Sequence, residues 1–275
     1  MSGFRVIQIS DTHLSPESPA FVANFDAVVS LVAARRPDLV VNTGDVTMDG
    51  VNRPADLPFA RGWHDRFDVP CLFIPGNHDV GDNPWKADLA DPITDERLGR
   101  YRWHFGDDWW LVDAGPWVLL GVNAQLFGSG LPAEETQWSF IESVPERARR
   151  RPVALFVHKP LFKDDPGETD VDGRYVPPFA RHRLARALDD ADVRLVASGH
   201  VHQHRHHRVR GVEHAWAPST AFILPDRRQP HIGVKHVGFV AYTFDAGTVH
   251  VEIVEPPQLT NFDRDDFPGL YAAHR

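Results

Sequence analysis

The chain has 275 residues, of which 42% are hydrophobic and 24% charged, with one cysteine and a formal net charge of −9. A chain of this length buries a full core without covalent staples, and one cysteine excludes an internal disulfide scaffold. Apolar runs such as 153–157 are far too short to span a bilayer. The net charge argues against general nucleic-acid binding, which needs a basic face. The opening residues lack the long apolar segment of a signal peptide, so the expected location is cytoplasmic, with no membrane association. The unusual quantity is the count of 16 histidines, which points to metal or proton chemistry if their spacing brings them together.

In chain order, residues 4–9 read as a strand ending in Ser10-Asp11-Thr12-His13. Residues 19–34 read as a helix, with Phe21, Val22, Phe25, Val28, Val29 and Val32 at helical spacing. Residues 38–41 form a second strand, ending in Asn42-Thr43-Gly44-Asp45, and 57–67 a second helix. Residues 71–74 form a third strand, ending in Pro75-Gly76-Asn77-His78-Asp79. This alternation is the pattern of βαβ units.

Residues 81–116 interrupt it, with Trp85, Trp103, Trp109 and Trp110 among many charges. They fit core packing, a homodimer contact or a cap over a site; the interruption favours a cap or dimer contact. Strands resume at 117–122 and 152–157, with a helix from about residue 133 between them. A loop rich in Asp, Gly and Pro covers 163–178, then come a helix at 179–188 and a strand at 193–197. Gly199-His200-Val201-His202 follows, then β-like runs at 214–217, 238–244 and 248–254. Residues 1–255 are expected to form one domain, and 256–275 a polar surface tail.

Five motifs stand where parallel strands would end: Asp11-Thr12-His13, Gly44-Asp45, Gly76-Asn77-His78-Asp79, His158, and Gly199-His200-Val201-His202. In open α/β sheets, ligands bind beyond the carboxyl ends of the strands. The loops therefore converge on one edge with Asp, Asn and His donors, a set suited to Mn, Fe or Zn. The absence of cysteine donors weakens a structural zinc reading. Taken singly, each motif also fits a polar turn, where Gly, Asp and Asn are common. His158 is the weakest alone and rests on its position after an apolar run. His64, His182, His250 and His274 are expected to be exposed.

The set Asp-x-His, Gly-Asp, Gly-Asn-His-Asp, a lone His and Gly-His-x-His, in that order, resembles the calcineurin-like metallophosphoesterases. The strings Ile9-Ser10-Asp11-Thr12-His13-Leu14 and Gly44-Asp45-Val46-Thr47-Met48-Asp49-Gly50 resemble the bacterial branch of class III cyclic nucleotide phosphodiesterases and glycerophosphodiesterases. The resemblance covers residues 4–203 and leaves the Trp-rich segment and the tail unmatched. It implies a four-layer α/β/β/α sandwich with two mixed sheets. It also implies two metal ions: one on Asp11, His13, Asp45 and His202, the other on Asp45, Asn77, His158 and His200, with Asp45 as the bridge. His78 is implied to lie over the phosphate outside the metal shell, and Asp79 to fix the tautomer of His78. The expected reaction is hydrolysis of a small phosphate ester, a diester before a monoester. The rivals are a nuclease, disfavoured by the charge, and a non-catalytic interaction protein, disfavoured because every ligand position holds the expected residue type.

Overall fold

The computed structural model describes residues 3–86 and 89–270. Its first half runs β1 (Phe4–Ile9), α1 (Pro19–Arg35), β2 (Leu39–Asn42), α2 (Asp56–His64), β3 (Cys71–Phe73) and the single-turn α3 (Asn77–Val80), then α4 (Asp95–Phe105), β4 (Trp110–Ala114) and β5 (Trp117–Val122). The second half runs α5 (Pro132–Glu142), α6 (Val144–Ala148), β6 (Pro152–Val157), α7 (Pro178–Ala187), β7 (Asp192–Ser198), β8 (Arg205–Val209), β9 (Val212–Trp216), β10 (Phe222–Ile223), β11 (Phe239–Phe244), β12 (Val249–Val254) and β13 (Phe262–Asp263).

The alternation of strand side chains creates the layers. In β1 and β2, Ile7, Ile9 and Val40 pack outward against Phe25, Val28 and Val32 of α1, Leu57 and Ala60 of α2, and Leu98, Tyr101 and Phe105 of α4. Val6, Leu39 and Val41 point the other way and meet Trp117, Leu119, Ala154 and Phe156 of the second sheet. Beyond that sheet, Val118, Leu120, Val153 and Leu155 pack against Trp138 and Ile141 of α5, Val144 of α6 and Leu184 of α7. The result is helices, sheet, sheet, helices. Strands buried on both faces read as unbroken apolar runs, which is why the sequence marks them. Pro19 opens α1, and Arg36 in the left-handed conformation closes it before Pro37.

The five-stranded sheet has the order β12-β11-β1-β2-β3 and the six-stranded sheet the order β4-β5-β6-β7-β9-β8. β1, β2 and β3 are parallel, as are β5, β6, β7 and β9, with antiparallel strands at other positions, so both sheets are mixed. The four-layer α/β/β/α architecture expected from the resemblance is the one observed. Among the described residues, no helix is long and apolar enough to cross a membrane.

Two regions differ from the sequence expectation. The Trp-rich segment divides by residue. Its α4 and β4 belong to the layered core, and buried Trp110 donates its indole N–H to the Phe73 carbonyl at 2.8 Å. Trp109 lies under Arg102, Trp103 is 86% exposed, and Trp85 faces the cavity described below. Residues 87–88 and the last five residues, 271–275, lie outside the described part.

The stretch from 256, expected as a surface tail, instead packs. Leu259 is buried, β13 pairs in parallel with β10, and Phe262, Phe267 and Leu270 pack against Phe21 and Phe222. The Asn24 amide exchanges hydrogen bonds of 2.9 Å with the N–H and carbonyl of Thr260. Its polar composition hides these apolar anchors, which are too far apart to read as a periodic pattern.

Candidate metal centre

The parallel strands bring their carboxyl ends to one edge, where their loops are tied to one another. The N–H of Asp11 donates to the Gly44 carbonyl at 2.9 Å, and that of His13 to the Asp45 carbonyl at 3.0 Å. The N–H of Gly199 donates to the His158 carbonyl at 2.8 Å. Between the sheets, the Gln8 amide donates to Thr43 Oγ1 at 2.9 Å and to the Ser198 carbonyl at 3.1 Å.

The turns are unusually sharp. Asp11, His13, Asp45, His200 and His202 all have positive φ, between 44° and 68°. Such a backbone is unfavourable for residues with a Cβ and persists where surrounding structure imposes it, typically at functional sites. Here it turns these strand-end side chains out of the sheets into one pit.

Ligand atoms of Asp11, His13 and His202 lie within 4.8 Å of one another, as do those of Asp45, His158 and His200. A third such group joins His13, Asp45 and His78, so His13 and Asp45 link the sets. Nε2 of His13 and Nε2 of His202 approach to 3.2 Å, and His202 Nε2 lies 3.4 Å from Asp11 Oδ1. On the other side, His158 Nε2 lies 3.5 Å from Asp45 Oδ1 and 3.4 Å from Asn77 Oδ1. All seven ligand residues expected from the resemblance meet in this pit.

Backbone partners decide which nitrogen each ring offers. Nδ1–H of His158 donates to the Thr43 carbonyl at 2.7 Å, and Nδ1–H of His202 to the Phe222 carbonyl at 2.9 Å. Both rings therefore turn Nε2 inward. His200 is reversed: its Nε2–H donates to the Gly173 carbonyl at 3.1 Å, and its buried Nδ1 has no hydrogen-bond partner. Asp11 Oδ1 is likewise buried and makes no hydrogen bond, with His202 Nε2 the ionisable neighbour at 3.4 Å. Buried polar atoms are normally satisfied, so orphaned lone pairs around one pit fit a bound cation.

The titration behaviour agrees with that donor set. Burial, then neighbouring imidazoles, hold His13 and His200 well below the ordinary range, so both are neutral and able to ligate. Burial alone would raise the Asp45 carboxyl, but the His158 and His78 imidazoles outweigh it and hold the group well below the usual carboxylate range. Burial opposes charge on His158, yet the adjacent Asp45 pushes that ring up to about 9. Burial raises Asp11. A pit that draws a proton onto its own ligand His158 would favour metal cations in the same place.

His78 follows Asn77 on α3. Its Nδ1–H donates to the Met48 carbonyl at 2.7 Å, and its ring stands edge-on to His13 at 4.7 Å between centroids. This corrects the role expected for Asp79. The Asp79 carboxylate accepts from the N–H groups of Val46, Thr47 and Gly76 and from Thr47 Oγ1, at 2.7 to 3.1 Å. It fastens the loop after β2 to the start of α3, and the Met48 carbonyl orients His78. Burial and nearby Asp45 raise Asp79 to about 6.

His64 is a second correction: it is 2% exposed. Its ring bonds the Asn42 amide at 2.9 Å, and Asn42 Oδ1 accepts from the Gly44 N–H at 3.0 Å, so His64 braces the turn that carries Asp45. The signal was present in the spacing of Leu57, Ala60 and His64, which puts all three on the buried face of α2. His182 and His250 are exposed, and His274 lies outside the described residues.

The pit opens into a cavity of about 410 Å³ whose lining includes His78, Asp49, Asp82, Trp85, Phe222 and Arg264. Phe222 also packs against the rings of His13 and His202. Arg264, brought in by the C-terminal segment, was not anticipated from sequence.

Residues 4–204 match the family model described as calcineurin-like phosphoesterase. A probable glycerophosphodiester phosphodiesterase from Arcobacter nitrofigilis is 27% identical over 212 residues, covering 72% of this chain and 71% of that one. A 3',5'-cyclic adenosine monophosphate phosphodiesterase from Escherichia coli is 29% identical over 169 residues, covering 57% and 56%. A serine/threonine-protein phosphatase from Bos taurus is 32% identical over 143 residues, 50% of this chain and only 42% of that one. Among solved structures, a purple acid phosphatase from yellow lupin seeds superposes with a TM-score of 0.66 at 15% identity, covering 96% of this chain and 55% of that one. A dimetal phosphatase from Danio rerio gives 0.63 at 14%, covering 92% and 96%. At these identities the superpositions speak for the fold alone. The family model spans the strands and loops that build the pit, and the chain belongs to the calcineurin-like phosphoesterase family as a metal-dependent phosphoric ester hydrolase.

Proposed function

We propose that the chain hydrolyses a small phosphodiester at a dinuclear centre. Asp11, His13, Asp45 and His202 would hold one ion, and Asp45, Asn77, His158 and His200 the other. The observation that carries this reading is the set of buried donor atoms turned into one pit, among them Asp11 Oδ1 and His200 Nδ1, neither of which makes a hydrogen bond. Donors of nitrogen and oxygen without thiolate suit Mn, Fe or Zn. When bound, a metal pair withdraws charge from the phosphoryl group and makes water a nucleophile near neutral pH.

The chain's own residues supply binding and proton transfer. His78, oriented through Nδ1 by the Met48 carbonyl, faces the cavity; as the imidazolium, with a second proton on Nε2, it would donate that proton to the departing oxygen or hydrogen-bond the phosphoryl group. A cavity of about 410 Å³ suits a small molecule. The net charge of −9 disfavours a long polyanion, which needs an extended basic groove, and so argues against a nuclease. The names of the bacterial relatives support a diester over a monoester.

The test is a substrate panel on metal-stripped and reconstituted protein: bis(4-nitrophenyl) phosphate, a glycerophosphodiester, a cyclic nucleotide and 4-nitrophenyl phosphate. Chelation should abolish turnover and Mn²⁺ should restore it, with kcat/KM for at least one diester above that for the monoester. Full activity in stripped protein would overturn the metal mechanism. A monoester-only profile would overturn the diester reading.

His78→Ala should leave metal content near normal and lower kcat by roughly 10²–10⁴ on a diester with a poor leaving group, the usual span for a general acid. KM should change far less, and the defect should shrink for a 4-nitrophenolate leaving group. Elemental analysis beside steady-state kinetics checks this. Loss of both metals would place His78 among the ligands.

A further inference from the structure

A fully buried ammonium lies beside the metal pit with no part in ligation. Lys159, next to His158 at the end of β6, is 0% exposed, and its Nζ contacts Asp82 Oδ1 at 2.5 Å and Asn83 Oδ1 at 2.6 Å. The other Asp82 oxygen accepts the indole N–H of Trp85 at 2.9 Å. A relay thus runs from the strand that supplies His158 to an aromatic ring on the cavity wall.

The ring is also fixed from the opposite loop. A β-carbon on Gly173 would fall 2.5 Å from Trp85 Cε2, so the indole lies directly against that backbone. The Gly173 carbonyl is the one that accepts the His200 Nε2–H at 3.1 Å. Trp85 is therefore held between two loops, each tied to a histidine-bearing strand end. A buried ion pair is a weak source of stability, because desolvation offsets its attraction; its clearest effect is to fix geometry.

We propose that Trp85 is the specificity wall of this site, receiving a flat, aromatic substituent of the phosphodiester, and that Lys159 is a positioning residue holding that wall through Asp82. The proposal rests on the diester reading. It selects, within that class, diesters carrying a planar ring over those carrying only alkyl chains. An indole binds planar rings in offset or edge-on geometry, and its N–H anchor leaves the ring little freedom to lose on binding.

The test compares bis(4-nitrophenyl) phosphate with ethyl 4-nitrophenyl phosphate. Both release 4-nitrophenolate, so the substituent left on phosphorus is what differs. In the wild type, kcat/KM should favour the diaryl substrate. Trp85→Ala should reduce that preference roughly tenfold, the scale of one aromatic stacking contact, mostly through KM for the diaryl substrate. Trp85→Phe, which keeps a ring but loses the N–H anchor, should recover part of it. Lys159→Met should lose the preference as Trp85→Ala does, with metal content retained. Because Lys159→Met strips a half-buried carboxylate of its cation and could unfold the protein, Asp82→Asn is the second probe. It keeps the shape but has only one oxygen acceptor for two donors, and it should also lower the preference.

Equal losses on both substrates in Trp85→Ala would overturn the wall. An unchanged preference in folded Lys159→Met or in Asp82→Asn would overturn the relay. A wild type that cleaves neither substrate would overturn the diester reading, and the wall with it, whereas cleavage of both with no Trp85 effect would leave the diester reading standing and remove only the wall.

Discussion

Asp45→Asn should lower turnover of a diester by more than roughly 100-fold, because loss of a mere supporting partner of a metal ligand already costs about 10–100-fold. Asp45 reaches both sides of the pit: Oδ1 lies 3.5 Å from His158 Nε2, and Oδ2 lies 3.9 Å from His13 Nε2. It is the anion expected to offset repulsion between two nearby cations. An amide in its place supplies one neutral oxygen and turns an NH₂ donor toward ligand nitrogens or an ion. The fold should survive. Asn tolerates the left-handed backbone that Asp45 adopts at φ 50°. Its oxygen can still accept the His78 N–H that Asp45 Oδ1 receives at 2.9 Å. Elemental analysis should show the second ion lost or weakly held, with an unshifted far-UV spectrum. Two tightly held metals and near-normal turnover would rule out the bridge. His13→Ala and Asn77→Ala should instead weaken mainly one site each, and opposite ones.

The contrast between Asp45 and His64 shows what the sequence could and could not reveal. Asp45 stands three residues beyond an apolar strand buried on both faces, so its position follows from the end of β2 and the rule that ligands gather at such ends. The same reasoning placed Asp11, Asn77, His158 and His200. His64 lies in mid-pattern on a helix, and its role exists only because its ring reaches Asn42 on another element. Lys159 and Asp82 are separated by 77 residues in sequence, and neither belongs to a recognisable motif.

The four layers were legible for a similar reason. Runs such as those in β5 and β6 are buried on both faces and read as continuous apolar segments. By contrast, the edge strand β8, Arg205–Val209, holds alternating half-buried and exposed polar residues and gives no apolar signal. β13 is two residues long and is fixed by packing against β10 rather than by its own composition. Asp79 sits in a motif that marks the site, but the motif could not say which atoms its carboxylate holds. Only the geometry transfers it from His78 to the Gly76, Val46 and Thr47 donors.

Gly76→Ala should remove activity through one methyl group. Gly76 precedes α3 with φ −102° and ψ −177°, an extended backbone open to any residue, so conformational freedom is not what the position needs. It needs space. A β-carbon there would lie 2.1 Å from Asp45 Oδ1 and 2.3 Å from the Asp45 nitrogen, far inside contact distance. Neither neighbour can yield freely. Asp45 is held by its sharp turn and by the His78 N–H, while the Gly76 N–H is bonded to Asp79 Oδ2 at 2.9 Å. Relief must separate Asp45 from α3, which carries Asn77 and His78. That displaces the shared carboxylate from the donors beside it, and a misplacement of about 1 Å can cost on the order of 100-fold in rate. Overpacking should also cost about 1–3 kcal/mol of stability, leaving a folded protein with a lowered Tm. Gly62 is the matched control: on α2, a β-carbon there meets nothing within 4 Å, so Gly62→Ala should keep full activity and gain about 1 kcal/mol from helix propensity. Metal stoichiometry, diester turnover and thermal melting of the two variants decide the matter. A Gly76→Ala protein with two metals and wild-type turnover would show that the contact between α3 and Asp45 is dispensable.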